Sequence, residues 1–145
     1  MSMTNTDQVL KKEVPINLAL AIVFNTEKKK ILVVKRKKEA QISGLTWCFP
    51  GGKIDYEDDL ENKLKSKIKE KLGLRVESLG SIFAETHARN GRKLFSVYFL
   101  CEFIDGKEKI SEDFEDIKWI SPREVGKYFQ FEIHPVLKEY LKDLE

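Results

Sequence analysis

The stretch Trp47-Cys48-Phe49-Pro50-Gly51-Gly52-Lys53 leads into the clearest helix of the chain, which we predict from about Asp59 to Leu72. Apolar side chains recur every four residues along this helix and form one stripe: Leu60, Leu64, Ile68 and Leu72. The acidic run 57–59 suits a helix N-terminus, and Gly73 suits the left-handed residue that follows a helix. The sequence therefore predicts a glycine turn followed by an amphipathic helix with defined ends.

Apolar and β-branched segments on both sides of this helix are typical of strands. We predict strands at 16–24, 31–34, 75–86, 93–103 and 116–120, with a hairpin turn at 87–92. The run Ser121-Pro122-Arg123-Glu124 has the pattern of a capping box, and a last amphipathic helix is predicted at 134–144. Strands mixed with a few helices predict the α/β class, with helices packed on the faces of a mixed sheet.

The segment from Gly52 to Leu74 resembles the Nudix box, G-x5-E-x7-R-E-U-x-E-E-x-G-U, in which U is a bulky apolar residue. The spacing matches without a gap, and the lead-in from Trp47 and the ending from Asp113 to Glu124 are similar to the family as well. The resemblance begins near Ile16 and implies the Nudix fold, an α/β/α sandwich around a mixed β-sheet. It also implies a domain over residues 15–145, and the polar residues before it predict a flexible N-terminal tail, residues 1–14.

The resemblance implies an enzyme that cleaves the pyrophosphate bond of nucleoside diphosphates linked to another group. In that family Mg²⁺ or Mn²⁺, held by carboxylates of the box helix, neutralises the phosphates and activates water. Carried over by position, the catalytic residues are Asp58 and Glu70, and Glu70 is also the expected metal ligand. Asp113 and Glu115 are further candidates for a metal site.

The box departs from the family pattern at the positions that carry charge. Ser66 stands for the Arg, and Lys67 and Lys71 stand for two of the three Glu residues that follow the Arg in the pattern. One Arg and three Glu give −2 in the family pattern, whereas Ser66, Lys67, Glu70 and Lys71 give +1. Because a divalent cation needs hard oxygen ligands, this degenerate box argues against the usual magnesium-dependent turnover.

The lysines suggest a different role, since an ammonium group binds phosphate as a point charge. The predicted phosphate-binding residues are Lys35, Arg36, Gly51, Gly52, Lys53, Lys67 and Lys71. An equally simple interpretation is a solvated helix face, because lysines alternate from Lys63 to Lys71. Three function classes therefore stay open: an unorthodox hydrolase, a non-catalytic module that binds a nucleotide-like pyrophosphate ligand, and a protein-interaction scaffold.

The composition excludes few partners. A net charge of +2, from 26 basic and 24 acidic residues, gives no general argument for nucleic acid or membrane binding. Cys48 and Cys101 lie in apolar runs and are expected to be buried thiols in a reducing compartment, and we expect a cytoplasmic protein. The resemblance also admits a homodimer. Four aromatic residues are candidates for stacking on a base, namely Trp47, Phe83, Phe95 and Phe99, whereas both histidines are expected to be structural.

Overall fold

The computed structural model describes residues 16–37, 46–55, 59–89 and 91–145. The predicted N-terminal tail, the candidate catalytic residue Asp58 and the Asn90 half of the predicted hairpin turn lie outside these residues.

Strands of the described residues form a seven-stranded mixed sheet. The strands are β1 (Ile16–Asn25), β2 (Lys30–Arg36), β3 (Trp47–Cys48), β4 (Gly51–Lys53), β5 (Leu74–Arg89), β6 (Arg92–Gly106) and β7 (Phe114–Ile120). Their order is β3-β2-β1-β6-β5, while β4 also pairs with β1 and β7 also pairs with β2. The β1–β6 pair is parallel and the remaining pairs are antiparallel, so the predicted mixed sheet is confirmed.

The main helix, α1, spans Leu60–Leu72, as the four-residue periodicity predicts. Asp59 caps its start by accepting a hydrogen bond from the backbone N–H of Asn62. Gly73 ends it in the left-handed conformation, with φ 74°, and donates its N–H to the carbonyl of Lys69 at 3.0 Å. Both predicted ends of the helix are therefore confirmed.

Two short helices follow β7. Ser121 and Glu124 form the predicted capping box at a 3-10 turn, Pro122–Glu124, which continues into α2 (Val125–Tyr128). The last helix, α3, spans Pro135–Asp143, within the predicted range.

Helices cover both faces of the sheet. Successive side chains of β1 point to opposite sides, so this strand contributes to the core on each face. Ala21 and Val23 pack in one core with Leu64, Ile68 and Leu72 of α1. Ile22 and Phe24 pack in a second core that includes Leu137 and Leu141 of α3. The predicted α/β/α sandwich is thereby confirmed.

A cleft opens where β1 changes its neighbour. Leu18–Leu20 pair with β4, whereas Phe24 and Asn25 pair with β2, so the sheet splits between these two strands. Gly51 permits the close approach of β4 to β1: it has φ 150°, and a Cβ there would lie 2.1 Å from the carbonyl oxygen of Ala19. The predicted glycine turn is thus wrong in detail, since Gly51 and Gly52 belong to a short strand.

The β5–β6 hairpin is longer than the sequence predicts. The strand β5 continues to Arg89, which pairs with Arg92, so His87 lies on a strand and not in the predicted turn. Residues 86–89 carry no run of large apolar side chains, so the hydrophobic pattern does not predict this extension, and pairing with β6 stabilises it instead.

Candidate ligand-binding cleft

A cleft of ≈ 360 Å³ lies at the split in the sheet, between β1, β4, the β5–β6 hairpin and the cleft-facing side of α1. This volume is in the range of small-molecule sites. Its floor is formed by Leu18 and Leu20 of β1, with β4 on one side and β6 on the other. The cleft therefore has two sides of different chemistry, which we call the basic side and the aromatic side.

The basic side consists of the glycine strand β4, Arg36 of β2 and two lysines of α1. Lys67 and Lys71 are four residues apart, so they share one face of the helix. The ammonium group of Lys67 donates a hydrogen bond to the carbonyl of Lys53 at 3.2 Å. A Cβ at Gly52 would lie 3.0 Å from Nζ of Lys67, so the absence of a side chain at Gly52 leaves room for that group.

Two of the predicted acidic metal ligands are held by lysines. Asp113 forms an ion pair with Lys71, in which Oδ2 of Asp113 lies 3.0 Å from Nζ of Lys71. Glu115 does the same with Lys35, at 3.5 Å. Neither carboxylate lines the cleft, and Lys35 does not line it either. Both pairs are partly exposed, so each contributes on the order of 1 kcal/mol or less.

Arg36 is the predicted basic residue of β2 that does reach the cleft. Its guanidinium lies beside the thiol of Cys48, another lining residue. Burial raises the pKa of the Cys48 thiol, and the nearby guanidinium opposes this effect without overcoming it. Cys48 is therefore a neutral, apolar part of the wall.

Glu70 points to a different part of the helix surface. It is exposed and lies with Ser66, Lys69 and Arg75 around a separate, shallow depression. One residue along a helix is a rotation of about 100°, which separates Glu70 from the cleft-facing Lys71. The structure consequently brings together Arg36, Gly51, Gly52, Lys53, Lys67 and Lys71, but leaves out Glu70, Lys35, Asp113 and Glu115.

The described residues do not fit a magnesium or manganese ion. Four basic side chains and no carboxylate line the cleft within residues 16–37, 46–55, 59–89 and 91–145. The same part of the chain contains no group of three or more His, Cys, Asp or Glu residues arranged to hold a metal. Mg²⁺ is a hard ion that is held in proteins through carboxylate oxygens, and nearby ammonium groups would repel it.

The aromatic side is built on the β5–β6 hairpin. Tyr98 donates a hydrogen bond to Glu85, with the oxygens 3.5 Å apart. The Nε2 atom of His87 lies 3.3 Å from the hydroxyl of Ser96 and 4.0 Å from Glu85. Ser96 is 1% exposed, although its side chain is polar. A polar network therefore crosses between the two strands at this side of the cleft.

Phe131 closes the aromatic side from above the sheet. Its ring stacks on Phe129 with centroids 5.2 Å apart, and Phe129 meets Phe49 edge-on at 5.0 Å. Phe49 in turn contacts Tyr98 at 6.1 Å. Such aromatic pairs add about 0.5–1.5 kcal/mol each beyond their buried area, which holds Phe131 in place over the cleft.

The four aromatic residues predicted as stacking candidates are not the ones that line the cleft; Phe49, Tyr98 and Phe131 are. The available signal was the alternation of Leu94, Ser96 and Tyr98 along β6, which places three side chains on one face. That alternation does not say which face meets a cleft. Phe131, between α2 and α3, has no periodic pattern that would have identified it.

Comparison with known proteins gives a consistent picture. A family model described as NUDIX domain matches residues 15–144. A MutT-like protein of Streptomyces ambofaciens is 25% identical over 112 residues, which cover 76% of this chain and 67% of that protein. Nucleoside triphosphatase NudI of Escherichia coli O139:H28 is 29% identical over 94 residues, 57% of this chain and 66% of that protein. The matches thus span about two thirds of these relatives.

Solved structures agree with the fold. The crystal structure of a MutT protein from Methanosarcina mazei Go1 has a TM-score of 0.74 at 16% identity, covering 92% of this chain and 94% of that one. This likeness shows the fold alone. No helix in the described part of this chain is long and apolar enough to cross a membrane.

Proposed function

The chain belongs to the NUDIX domain family, and from the residues of its cleft we propose that it binds a nucleotide-like ligand through its pyrophosphate without the family's metal ion. In this proposal, lysine and arginine side chains neutralise the phosphates directly. Because the degenerate box lacks the carboxylates at positions 67 and 71, hydrolysis is slow or absent.

The observation that carries the proposal is the charge of the cleft lining. Arg36, Lys53, Lys67 and Lys71 converge on one side of a cleft whose described lining has no carboxylate. Two unit charges 4 Å apart interact by about 4 kcal/mol at an effective dielectric constant of 20, so several cations favour a multiply charged anion strongly. A guanidinium adds paired hydrogen bonds to phosphate oxygens, whereas an ammonium acts as a point charge.

The backbone of β4 supports the same ligand. Gly51 and Gly52 carry no side chain that would keep a phosphate away from the strand. The hydrogen bond from Lys67 to the carbonyl of Lys53 joins α1 to this strand, which fixes the ammonium group at the cleft. The position of Lys67 is thus prearranged, and less side-chain entropy is lost when an anion binds.

The compartment and assembly stay predictions. Cys48 and Cys101 are buried free thiols, and burial raises the pKa of the Cys101 thiol to about 12, so neither is primed for oxidation. Two reduced cysteines support the cytoplasm as the compartment. A homodimer is expected from the family resemblance and is checked by sedimentation.

The deciding experiment is calorimetric titration of the protein with inorganic pyrophosphate and with nucleoside di- and triphosphates, first in EDTA and then in Mg²⁺. We expect binding in EDTA. The double variant Lys67→Gln/Lys71→Gln should bind at least on the order of 100-fold more weakly, since charged hydrogen bonds contribute about 1.5–3 kcal/mol each. Lys65→Gln/Lys69→Gln is the matched control, because it removes the same charge from the other side of α1.

A turnover assay on the same ligands separates the other function classes. Metal-dependent product, with no binding in EDTA, would overturn the proposal in favour of a hydrolase that takes its ligands from elsewhere, Asp58 included. A folded protein that binds none of the ligands would support the interaction scaffold. Loss of affinity in the control variant equal to that in Lys67→Gln/Lys71→Gln would show that general surface charge, and not the cleft, attracts the anion.

A further inference from the structure

We propose that the diphosphate bound in the cleft carries an apolar chain, such as an alkyl or alkenyl group, and that Phe131 sets the length of this chain. The inference rests on the proposed function, because it places the two phosphates on the basic side of the cleft. It goes beyond that function by replacing the nucleoside with a group that forms no hydrogen bonds. The ligand class is thus a diphosphate monoester of an apolar alcohol.

The polar atoms of the aromatic side bond to each other across the β5–β6 hairpin. The Tyr98 hydroxyl donates to Glu85, and Nε2 of His87 lies 3.3 Å from the Ser96 hydroxyl. Ser96 is 1% exposed and Tyr98 is 4% exposed, so little of either side chain is accessible to a ligand. A sugar or a base loses hydrogen bonds to water when it enters this side, and these two hydroxyls do not replace them, which costs free energy.

The accessible surface that remains on this side is largely apolar. Leu18 and Leu20 form the floor of the cleft, and Phe131 closes it from above. Leu20 and Phe131 pack against the second core but are only half-buried, so each keeps part of its side chain in contact with solvent. Because removal of apolar surface from water is favourable, these side chains favour an apolar ligand group.

The pairing of β1 places the leucine floor directly beside the basic side. Leu18 pairs with Lys53 of β4 on one edge and with Ser96 of β6 on the other. Leu20 lies two residues along the same strand and therefore on the same face. Neighbouring strands are about 4.8 Å apart, so a chain attached to a phosphate at β4 meets the two leucines first and the aromatic side after them.

Phe131 forms the end of this path, because its ring separates the cleft from two neighbouring depressions. It lines the cleft, a groove of ≈ 670 Å³ between α2 and α3, and a shallow depression of ≈ 440 Å³ beside Glu132 and His134. The stack on Phe129, with centroids 5.2 Å apart, holds the ring in this position. A chain that crosses the floor therefore stops at Phe131, and loss of the ring would open the cleft to a longer chain.

The test is calorimetry in EDTA with inorganic pyrophosphate, with ethyl, butyl, hexyl and octyl diphosphate, and with ADP and UDP. For the full chain we expect affinity to rise by up to about 4-fold for each methylene that the cleft buries. The rise should level off when the chain reaches Phe131. ADP and UDP should bind more weakly than the alkyl diphosphate of the best length.

Phe131→Ala tests the limit on length, with each affinity expressed relative to that of pyrophosphate for the same variant. The shorter chains that reach the ring should lose affinity several-fold, and the levelling-off should move to a longer chain. Ile133→Ala is the matched control, because Ile133 is half-buried in the same segment and lines both depressions but not the cleft. Its dependence on chain length should match that of the wild type.

The basic side must also contribute to the binding of the alkyl diphosphates. In Lys67→Gln/Lys71→Gln, hexyl diphosphate should weaken by about the same factor as pyrophosphate, since both place their phosphates on the same lysines. Unchanged affinity for hexyl diphosphate in this variant would mean that the chain binds outside the cleft, and would overturn the inference.

The remaining outcomes separate this inference from the proposed function. If pyrophosphate binds but affinity does not rise with chain length, or if a nucleotide binds more tightly than every alkyl diphosphate, the apolar chain is wrong and the phosphate site stands. If Phe131→Ala leaves the dependence on length unchanged, or alters it no more than Ile133→Ala does, Phe131 does not set the length. If the wild type binds neither pyrophosphate nor any of its esters, the proposed function itself fails.

Discussion

The buried face and the cleft face of α1 differ in how closely they follow the residue pattern of the family. The buried face carries Leu64, Ile68 and Leu72, each 1% exposed, and Ile68 fills the apolar position of the family pattern inside the helix. The cleft face carries Lys67 and Lys71, where the family pattern has carboxylates. The helix can therefore pack as the fold requires while its cleft face carries a different charge, because the buried positions set the packing and the cleft-facing positions set the charge that a ligand meets.

Two glycines that flank the helix, Gly51 before the box and Gly73 at its end, are set by the fold in the same way as the buried face. Gly73 is needed because the backbone there is left-handed. Gly51 is needed because a side chain would collide with the backbone of Ala19. These demands come from the main chain and hold whatever ligand is bound. No such demand of the main chain fixes positions 67 and 71, whose side chains line the cleft.

The largest effect is expected on the buried face. Ile68→Ala should lower the free energy of unfolding by about 2–5 kcal/mol, since it leaves a cavity between α1 and the sheet. Urea denaturation measures this loss. Lys69→Ala, the exposed next residue, is the control and should stay within about 0.5 kcal/mol of the wild type. Equal losses in both variants would contradict the division of the helix into two faces.

An intermediate effect is expected from charge reversal on the cleft face. Lys67→Glu/Lys71→Glu should gain a stabilising response to Mg²⁺ that the wild type lacks, and should lose pyrophosphate binding in EDTA. If the new site has a dissociation constant of about 1 mM, 10 mM Mg²⁺ adds about 1.4 kcal/mol. Melting curves with and without Mg²⁺ measure it, with Ca²⁺ as a second oxygen-binding ion. A wild type that responds equally to Mg²⁺ would show that the described residues are not the whole metal site.

The smallest effect is expected at the ion pair between Lys71 and Asp113. Asp113→Asn removes a carboxylate that competes with phosphate for the ammonium group, so pyrophosphate affinity should rise by about 2- to 5-fold, the size of an exposed ion pair. Glu112→Gln removes the same charge from the adjacent, exposed residue and serves as the control. Weaker binding in Asp113→Asn would instead mean that the carboxylate positions Lys71 for the ligand.

Much of the fold was accessible from the sequence. The four-residue period of α1, its glycine end and the capping box at Ser121 are local signals, and all three are present in the structure. The ends of β5 and the short strand β4 were not accessible in the same way. The strand β4 forms by pairing with β1, which is distant in sequence, and the end of β5 forms by pairing with β6 across the hairpin, which its own side chains do not indicate.

The candidate site divides along the same line. Lys67 and Lys71 could be assigned to one helix face by their spacing, and the structure brings them to the cleft with Arg36 and Lys53. Glu70 looked equivalent by position in the box, but the direction of its side chain depends on how α1 packs on the sheet. His87 was predicted to lie in the hairpin turn, but in the structure the strand β5 continues to Arg89 and includes it.

By itself, the sequence determined the family, the sandwich and the reversed charge of the box, because these follow from spacing and residue type along one segment. Only the tertiary structure decided that Ser96, His87 and Phe131 meet the floor of the same cleft. They come from β6, β5 and the segment before α3. No local pattern encodes that meeting, since it results from the parallel pairing of β1 with β6 and from the split beside β4.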